Sequence, residues 1–308
     1  MRIDEILATR AESGEPVFSF EFFPPKTPEG VENLWTAVGD LRGLEPDYVS
    51  VTYGAGGGTR EGTLEISSRL KNELGVETMA HLSCVGETAE GIEEMLRRVE
   101  GAGIENVFAL RGDPPKGEAE FVQPEGGFSS AAELAGFASE RFDFSLGGSC
   151  FPEVHPEAKS PEADLAYLKT KVDAGARFLI TQLFFDNRVY FDFVESVRER
   201  GIDVPVIAGV LPILSLGQVR RFCANCDANL PEALVAAMEA LGGDPEAEAE
   251  FGIAYAARQC EELLAGGAPG IHFYTVNRAG PTRAVLSALK VGRPWRHAPH
   301  PLGVATGD

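Results

Sequence analysis

A carboxyl group set among aromatic rings offers the clearest hint of chemistry in this chain. Glu21 stands between Phe20 and Phe22-Phe23, just ahead of Pro24-Pro25, at the close of an apolar run. Such neighbours should leave the carboxyl poorly hydrated, and loss of water favours the neutral, proton-carrying form. A side chain that carries a proton near neutral pH is suited to general acid catalysis. The competing reading is an inward structural glutamate paired with an arginine. More polar residues fall at the ends of other apolar runs: Thr52, His81, Arg111 with Asp113, Ser149, Gln182, and Tyr274 with Asn277 and Arg278. Each alone has a structural explanation, His81 as a satisfied buried histidine or Asp113 as a turn residue before Pro114-Pro115. Gathered on one rim they make a polar mouth, which an active site explains better than coincidence. No Ser-His-Asp order and no nucleophile elbow is present, so acyl transfer finds no support.

Cysteine chemistry is not expected. The five cysteines are scattered, and only Cys223 and Cys226 form a C-x-x-C pair. A structural zinc site needs four ligands, and no second pair lies at suitable spacing. The pair falls in a stretch with helical character and reads as packing; His297 and His300 sit in a Pro-rich tail. No metal site is predicted.

The polar residues need a scaffold that brings strand ends together. Short β-rich runs recur at 17–22, 48–53, 77–82, 106–110, 144–148, 178–182, 206–211 and 271–275, with helical patterns between them. Runs this apolar suit strands buried on both faces, as in a parallel sheet. After Thr88, residues Ile92, Met95, Leu96 and Val99 fall on one helical stripe. Ser160-Pro161 reads as an N-cap followed by proline at the first helical position. Eight β-then-α units predict an α/β fold, a (β/α)8 TIM barrel, in which catalytic groups project from the C-terminal ends of the strands. The expected organisation is one catalytic domain over residues 1–295, with extra helices at about 215–266 after the seventh strand, and a flexible tail at 296–308. An open α/β sheet is the alternative. The glycine-rich loop at 54–58 lacks the glycine offset and acid of a dinucleotide fingerprint.

Bulk properties narrow the partners. The residues are 44% hydrophobic and 24% charged, which suits a large core, and the formal net charge is −20. A polyanion-binding protein needs clustered Lys and Arg, so no nucleic acid is expected, and an anionic membrane surface is equally unfavourable. No window approaches the roughly 18 unbroken apolar residues of a membrane helix. Acids stand near the start where a signal peptide would be apolar. A cytoplasmic location, small-molecule substrates and a homo-oligomeric assembly are the expectations.

Several runs are specific enough to carry a family resemblance. Ser19-Phe-Glu-Phe-Phe-Pro-Pro25, Val51-Thr-Tyr-Gly-Ala55, Ala80-His-Leu82, Leu110-Arg-Gly-Asp113 and Pro152-Glu-Val-His-Pro156 occur in order, followed by Lys171-Val-Asp-Ala-Gly-Ala176, Thr181-Gln182 with Phe185-Asp186, and His272-Phe-Tyr-Thr-Val-Asn-Arg278. Together they resemble methylenetetrahydrofolate reductase in its short bacterial form, without an appended regulatory domain. The resemblance implies a (β/α)8 barrel that binds FAD and reduces 5,10-methylenetetrahydrofolate to 5-methyltetrahydrofolate with NADH or NADPH as co-substrate, in one-carbon metabolism and methionine synthesis. By position, Glu21 matches the proton donor and Asp113 the acid beside flavin and pterin. Thr52, Gln182, Gln218, Phe222 and Arg278 match substrate-binding positions. Tyr53, Ala55, His81, Arg111, Gly112, Asp113, Phe151, His155, Ala158, Asp164 and Lys171 match the flavin side. Thr170, Tyr167 and Phe151 depart from the family pattern, standing where a basic residue, an amide and a tyrosine are expected. Two other readings compete: a flavin-free TIM-barrel lyase or aldolase acting on a phosphorylated metabolite, and a non-catalytic folate- or flavin-binding protein. No lysine lies in any of the eight strand runs, which counts against a Schiff-base aldolase.

Overall fold

Parallel strands buried on both faces leave their ladder edges in need of partners, and here the sheet finds them by closing on itself. The computed structural model describes residues 1–53, 60–113 and 121–297. Ala55, with the rest of the 54–58 loop, lies outside the described residues. The strands are β1 Val17–Phe22, β2 Tyr48–Val51, β3 Thr78–Ser83, β4 Asn106–Leu110, β5 Ser145–Cys150, β6 Ala176–Thr181, β7 Val206–Val210 and β8 Gly270–Tyr274. They run in sequence order around a closed barrel, β8 returning to pair with β1, which excludes the open sheet.

Helices alternate with the strands: α1 Ile3–Ser13, α2 Pro28–Arg42, α3 Arg60–Asn72, α4 Ala89–Gly101, α5 Ala131–Arg141, α6 Pro161–Asp173 and α7 Asn187–Glu199. The expected excursion after the seventh strand is α8 Leu216–Cys226, α9 Glu232–Glu239 and α10 Pro245–Ala265, and α11 Ala279–Gly292 follows β8. Local chemistry sets their starts. Thr88 caps α4 by accepting from the Gly91 amide, and the helix buries Ile92, Met95, Leu96 and Val99. Ser160 caps α6 in the same way, with Pro161 in the first turn, where its missing N–H is no loss.

Alternation along each strand divides the core into two shells. Phe20 and Phe22 point outward and pack in one apolar cluster with Leu34, Val38 and Leu41 of α2. Tyr48, Met79, Phe108, Phe178, Ile180 and Ile207 form another cluster with Ile3, Ile6 and Leu7 of α1. The Ile3 amide donates to Asn106 Oδ1 at the start of β4, and the Asp4 amide to Ser145 Oγ at the start of β5. Helix α1 therefore closes the N-terminal end of the barrel. Gly147 makes room there: a Cβ at that position would come within 2.6 Å of Phe178 and 2.7 Å of Phe108.

The other end of the chain is tied down as far as it is described. Residues Pro294–His297 form a short 3-10 helix in which Trp295 meets Phe18 edge-on and Arg296 pairs with Glu15. Residues 298–308 lie outside the described residues. Among the described residues, no helix is long and apolar enough to cross a membrane.

Candidate active site

The alternation that turns Phe20 and Phe22 outward turns Glu21 into the barrel. This corrects the local environment expected from the sequence. Its closest polar neighbours are imidazoles rather than the adjacent phenyl rings, because neighbouring side chains on a strand face opposite ways. Glu21 Oε2 lies 3.6 Å from His81 Nε2 and 3.6 Å from His272 Nε2, with the glutamate side chain 20% exposed and both histidines buried. No arginine or lysine lies within ion-pair distance of Glu21 among the described residues, so the arginine-paired reading fails. On its far side His272 is anchored, Nδ1 lying 2.8 Å from the buried Ser19 hydroxyl. When Ser19 donates, the Nε2 proton faces Glu21, and the row becomes Ser19, His272, Glu21. Burial pushes the His81 imidazole down to about 4, against the opposing pull of Glu21, so His81 is neutral at pH 7. Its Nε2 is buried with no hydrogen-bond partner.

These groups line a cavity of about 530 Å³ along the barrel axis. Thr52, His81, Asp113, Gln182 and Phe222 also line it, together with Phe23 and Val276. A second, lateral cavity of about 490 Å³ opens between the ends of β2 to β6 and the first turns of α5 and α6. Tyr53, Leu110, Asp113, Ser149 and Gln182 line both, so the two spaces share one wall.

The lateral cavity holds the local cations. Lys171 is buried, its Nζ donating to the Ser149 carbonyl at 2.5 Å, and no carboxylate lies within ion-pair distance of it among the described residues. Burial pushes its ammonium down to about 8, partly opposed by Cys150 and Asp164. Arg111 is occupied by Glu157, which hydrogen-bonds both arms of the guanidinium. Asp164 accepts from the His155 amide at 3.0 Å and so ties the loop after β5 to α6. Gly112 has φ +90°, and a Cβ there would meet Ser83 Oγ at 2.0 Å, so only glycine lets the chain pass this close to β3.

The residues expected on the flavin side thus converge. Tyr53, Arg111, Gly112, Asp113 and Phe151 line the lateral cavity, as do His155, Ala158, Asp164 and Lys171. His81 instead faces the axial cavity. Of the expected substrate residues, Thr52, Gln182 and Phe222 line the axial cavity, whereas Gln218 and Arg278 do not. Sequence reasoning missed Phe23, His272, Val276 and Glu157 as members of these walls. His272 sits inside a strand and carried no strand-end signal, although the two-residue period that points Tyr274 inward also points His272 inward. Cys223 is buried in the apolar cluster beneath α8 and Cys226 packs against it, the packing role read from the sequence.

Among the described residues, a buried ammonium without a counter-ion and two buried polar atoms without partners (His81 Nε2 and Tyr53 Oη) fit, together with the apolar wall, an anionic, partly aromatic ligand. Tyr167 also lies in the lateral wall, its hydroxyl accepting from the Ala132 amide at 3.4 Å, so this departure from the family pattern is accommodated by the first turn of α5.

Comparison with known proteins places these cavities in context. The family model described as methylenetetrahydrofolate reductase matches residues 6–290. Methylenetetrahydrofolate reductase (NADH) 1 of Arabidopsis thaliana is 39% identical, over 96% of this chain and 53% of its own length. The 5,10-methylenetetrahydrofolate reductase of Salmonella typhimurium is 39% identical, over 90% of this chain and 92% of its own length. The chain thus spans about half the length of its plant relatives. Among solved structures, a Clostridium thermocellum protein described as binding two copies of 5-methyl-5,6,7,8-tetrahydrofolic acid superposes with a TM-score of 0.61 at 17% identity, covering 94% of this chain and 99% of that one. At that identity the likeness is one of fold.

Proposed function

Because the chain belongs to the methylenetetrahydrofolate reductase family, we propose that it reduces 5,10-methylenetetrahydrofolate to 5-methyltetrahydrofolate, with FAD as cofactor and a reduced nicotinamide as electron source. One observation carries this reading: an axial cavity containing the Glu21 carboxyl shares a wall with a lateral cavity containing a buried cation that has no ion-paired carboxylate among the described residues.

Bound flavin would supply the two-electron chemistry that no side chain here can perform. Lys171 and Arg111 would hold its anionic portion, and Gly112 lets the backbone approach it closely. Glu21 would hold a proton at Oε2 for the substrate amine. The flanking imidazoles lie 3.6 Å from that oxygen, and His81, neutral at pH 7, adds no positive charge beside it. Asp113 and Gln182 line the wall common to both spaces, where they would touch cofactor and substrate together. The flavin-free lyase reading is not supported, since no lysine or arginine from the ends of β7 and β8 lines the axial cavity among the described residues.

Purified protein should be yellow, absorb near ~450 nm as flavins do, bleach anaerobically with a nicotinamide and recover on adding methylenetetrahydrofolate. Colourless protein that cannot be reconstituted with FAD would refute the proposal. NADH is named for the plant relative; separate titrations with NADH and NADPH decide the preference of this chain.

A further inference from the structure

The barrel seam between β8 and β1 continues past the end of the ladder by an unusual device. The last backbone pair is Glu21 with Tyr274. Beyond it the Thr275 hydroxyl donates to the Glu21 carbonyl at 2.5 Å and accepts from the Asn277 amide at 3.2 Å. The Asn277 side chain then replaces a strand: Oδ1 accepts from the Phe23 amide at 3.1 Å, and Nδ2 donates to the Phe23 carbonyl at 2.9 Å. To reach this position, Val276 and Asn277 adopt φ of 51° and 53°, two consecutive left-handed residues that are not glycine. Such a conformation is disfavoured above all for a β-branched valine, and it persists only where surroundings over-determine it. Here the strain turns Val276 into the axial cavity and leaves Asn277 buried against Phe23.

We propose that Asn277 is a positioning residue for the acid, fixing the main chain two residues beyond Glu21 so that its carboxyl meets the substrate at a set depth. The inference rests on the folate-reductase reading. It assigns Asn277 no contact with either substrate. Its effect reaches the site through Phe23 and through the Glu21 carbonyl that Thr275 holds.

The test separates the two halves of the reaction, since only the folate half needs a proton from Glu21. Asn277→Ala should slow folate-dependent reoxidation of the reduced holoenzyme by about 10- to 100-fold, the scale of a misplaced catalytic group, and leave nicotinamide-dependent bleaching within about twofold. Amide hydrogen exchange, followed in the same variant, should show loss of protection at Phe23. Asn277→Asp keeps the acceptor but not the donor, so Phe23 protection should persist with an intermediate rate. Asn277→Gly relaxes the strained backbone and removes the side chain; a rate matching that of Asn277→Ala assigns the effect to the amide. Equal slowing of both halves, or unchanged protection at Phe23 in Asn277→Ala, overturns the proposal. If Glu21→Gln itself leaves the folate half untouched, the functional reading fails instead, and the exchange result still reports on the clamp.

Discussion

Arg111 and Glu157 are joined at both arms, Nη1 to Oε2 at 2.5 Å and Nη2 to Oε1 at 2.7 Å, across the wall of the lateral cavity. The hydrogen bond holds the Glu157 carboxyl below the usual carboxylate range. A cation proposed to meet the cofactor's diphosphate is thus already engaged by the protein's own carboxylate. Half-exposed pairs of this kind contribute about 0–1 kcal/mol. Glu157→Gln should therefore tighten FAD binding by up to about fivefold, read by fluorescence quenching on titrating the apoprotein. Weaker binding would show that Glu157 orients the guanidinium rather than competes for it.

Glu21→Gln keeps the shape of the side chain and removes its proton. Folate reduction should fall by about 10²- to 10⁴-fold, the range of general acid catalysis, while anaerobic bleaching by the nicotinamide persists. Anaerobic stopped-flow spectroscopy reads both steps in one sample, and an undiminished folate step would remove Glu21 from the role.

Lys171 gives a pH signature. Its ammonium has an ordinary value of 10.5 and is pushed down to about 8 by burial. Between those limits the unfolded chain binds a proton that the native state has lost, so this group's contribution to stability rises with pH in that window. It is lost as pH falls through about 8. Anion binding runs the other way: FAD affinity should weaken as pH rises through about 8, as the charge that meets the diphosphate disappears. Lys171→Arg should flatten that dependence, since a guanidinium stays charged throughout. Equal pH profiles for the two proteins would show that Lys171 does not meet the anion.

Ser19 anchors His272, and both side chains are buried. Removing its hydroxyl leaves the imidazole Nδ1 buried and unpartnered, a loss of about 1–3 kcal/mol. Ser19→Ala should accordingly lower the thermal midpoint and slow the folate half-reaction, because His272 no longer steadies Glu21. A variant as stable and as fast as the parent would leave the 2.8 Å contact without consequence.

The barrel was legible because its signals are local and repeated. Eight apolar runs, each followed by a helix, leave little freedom of topology, and residues such as Thr88 and Ser160 mark helix starts by chemistry alone. The rim was legible for a related reason: strand ends in a barrel converge, so Thr52, Asp113 and Gln182 can be grouped from sequence alone. What stayed hidden depends on facing direction and on long-range partners. Phe20 and Phe22 adjoin Glu21 in sequence yet lie in the outer shell, whereas His272 is distant in sequence and faces it. The hold of Asn277 on Phe23 joins residues 254 apart, and its left-handed backbone has no glycine to announce it.

Helix α1 covers the floor of the barrel with Ile3, Ile6 and Leu7, while Glu21 faces the axial cavity at the mouth. Under the proposed function a substrate seated over that mouth would also be a stopper between the carboxyl and bulk water. Proton uptake by the acid would then fall between turnovers rather than within one.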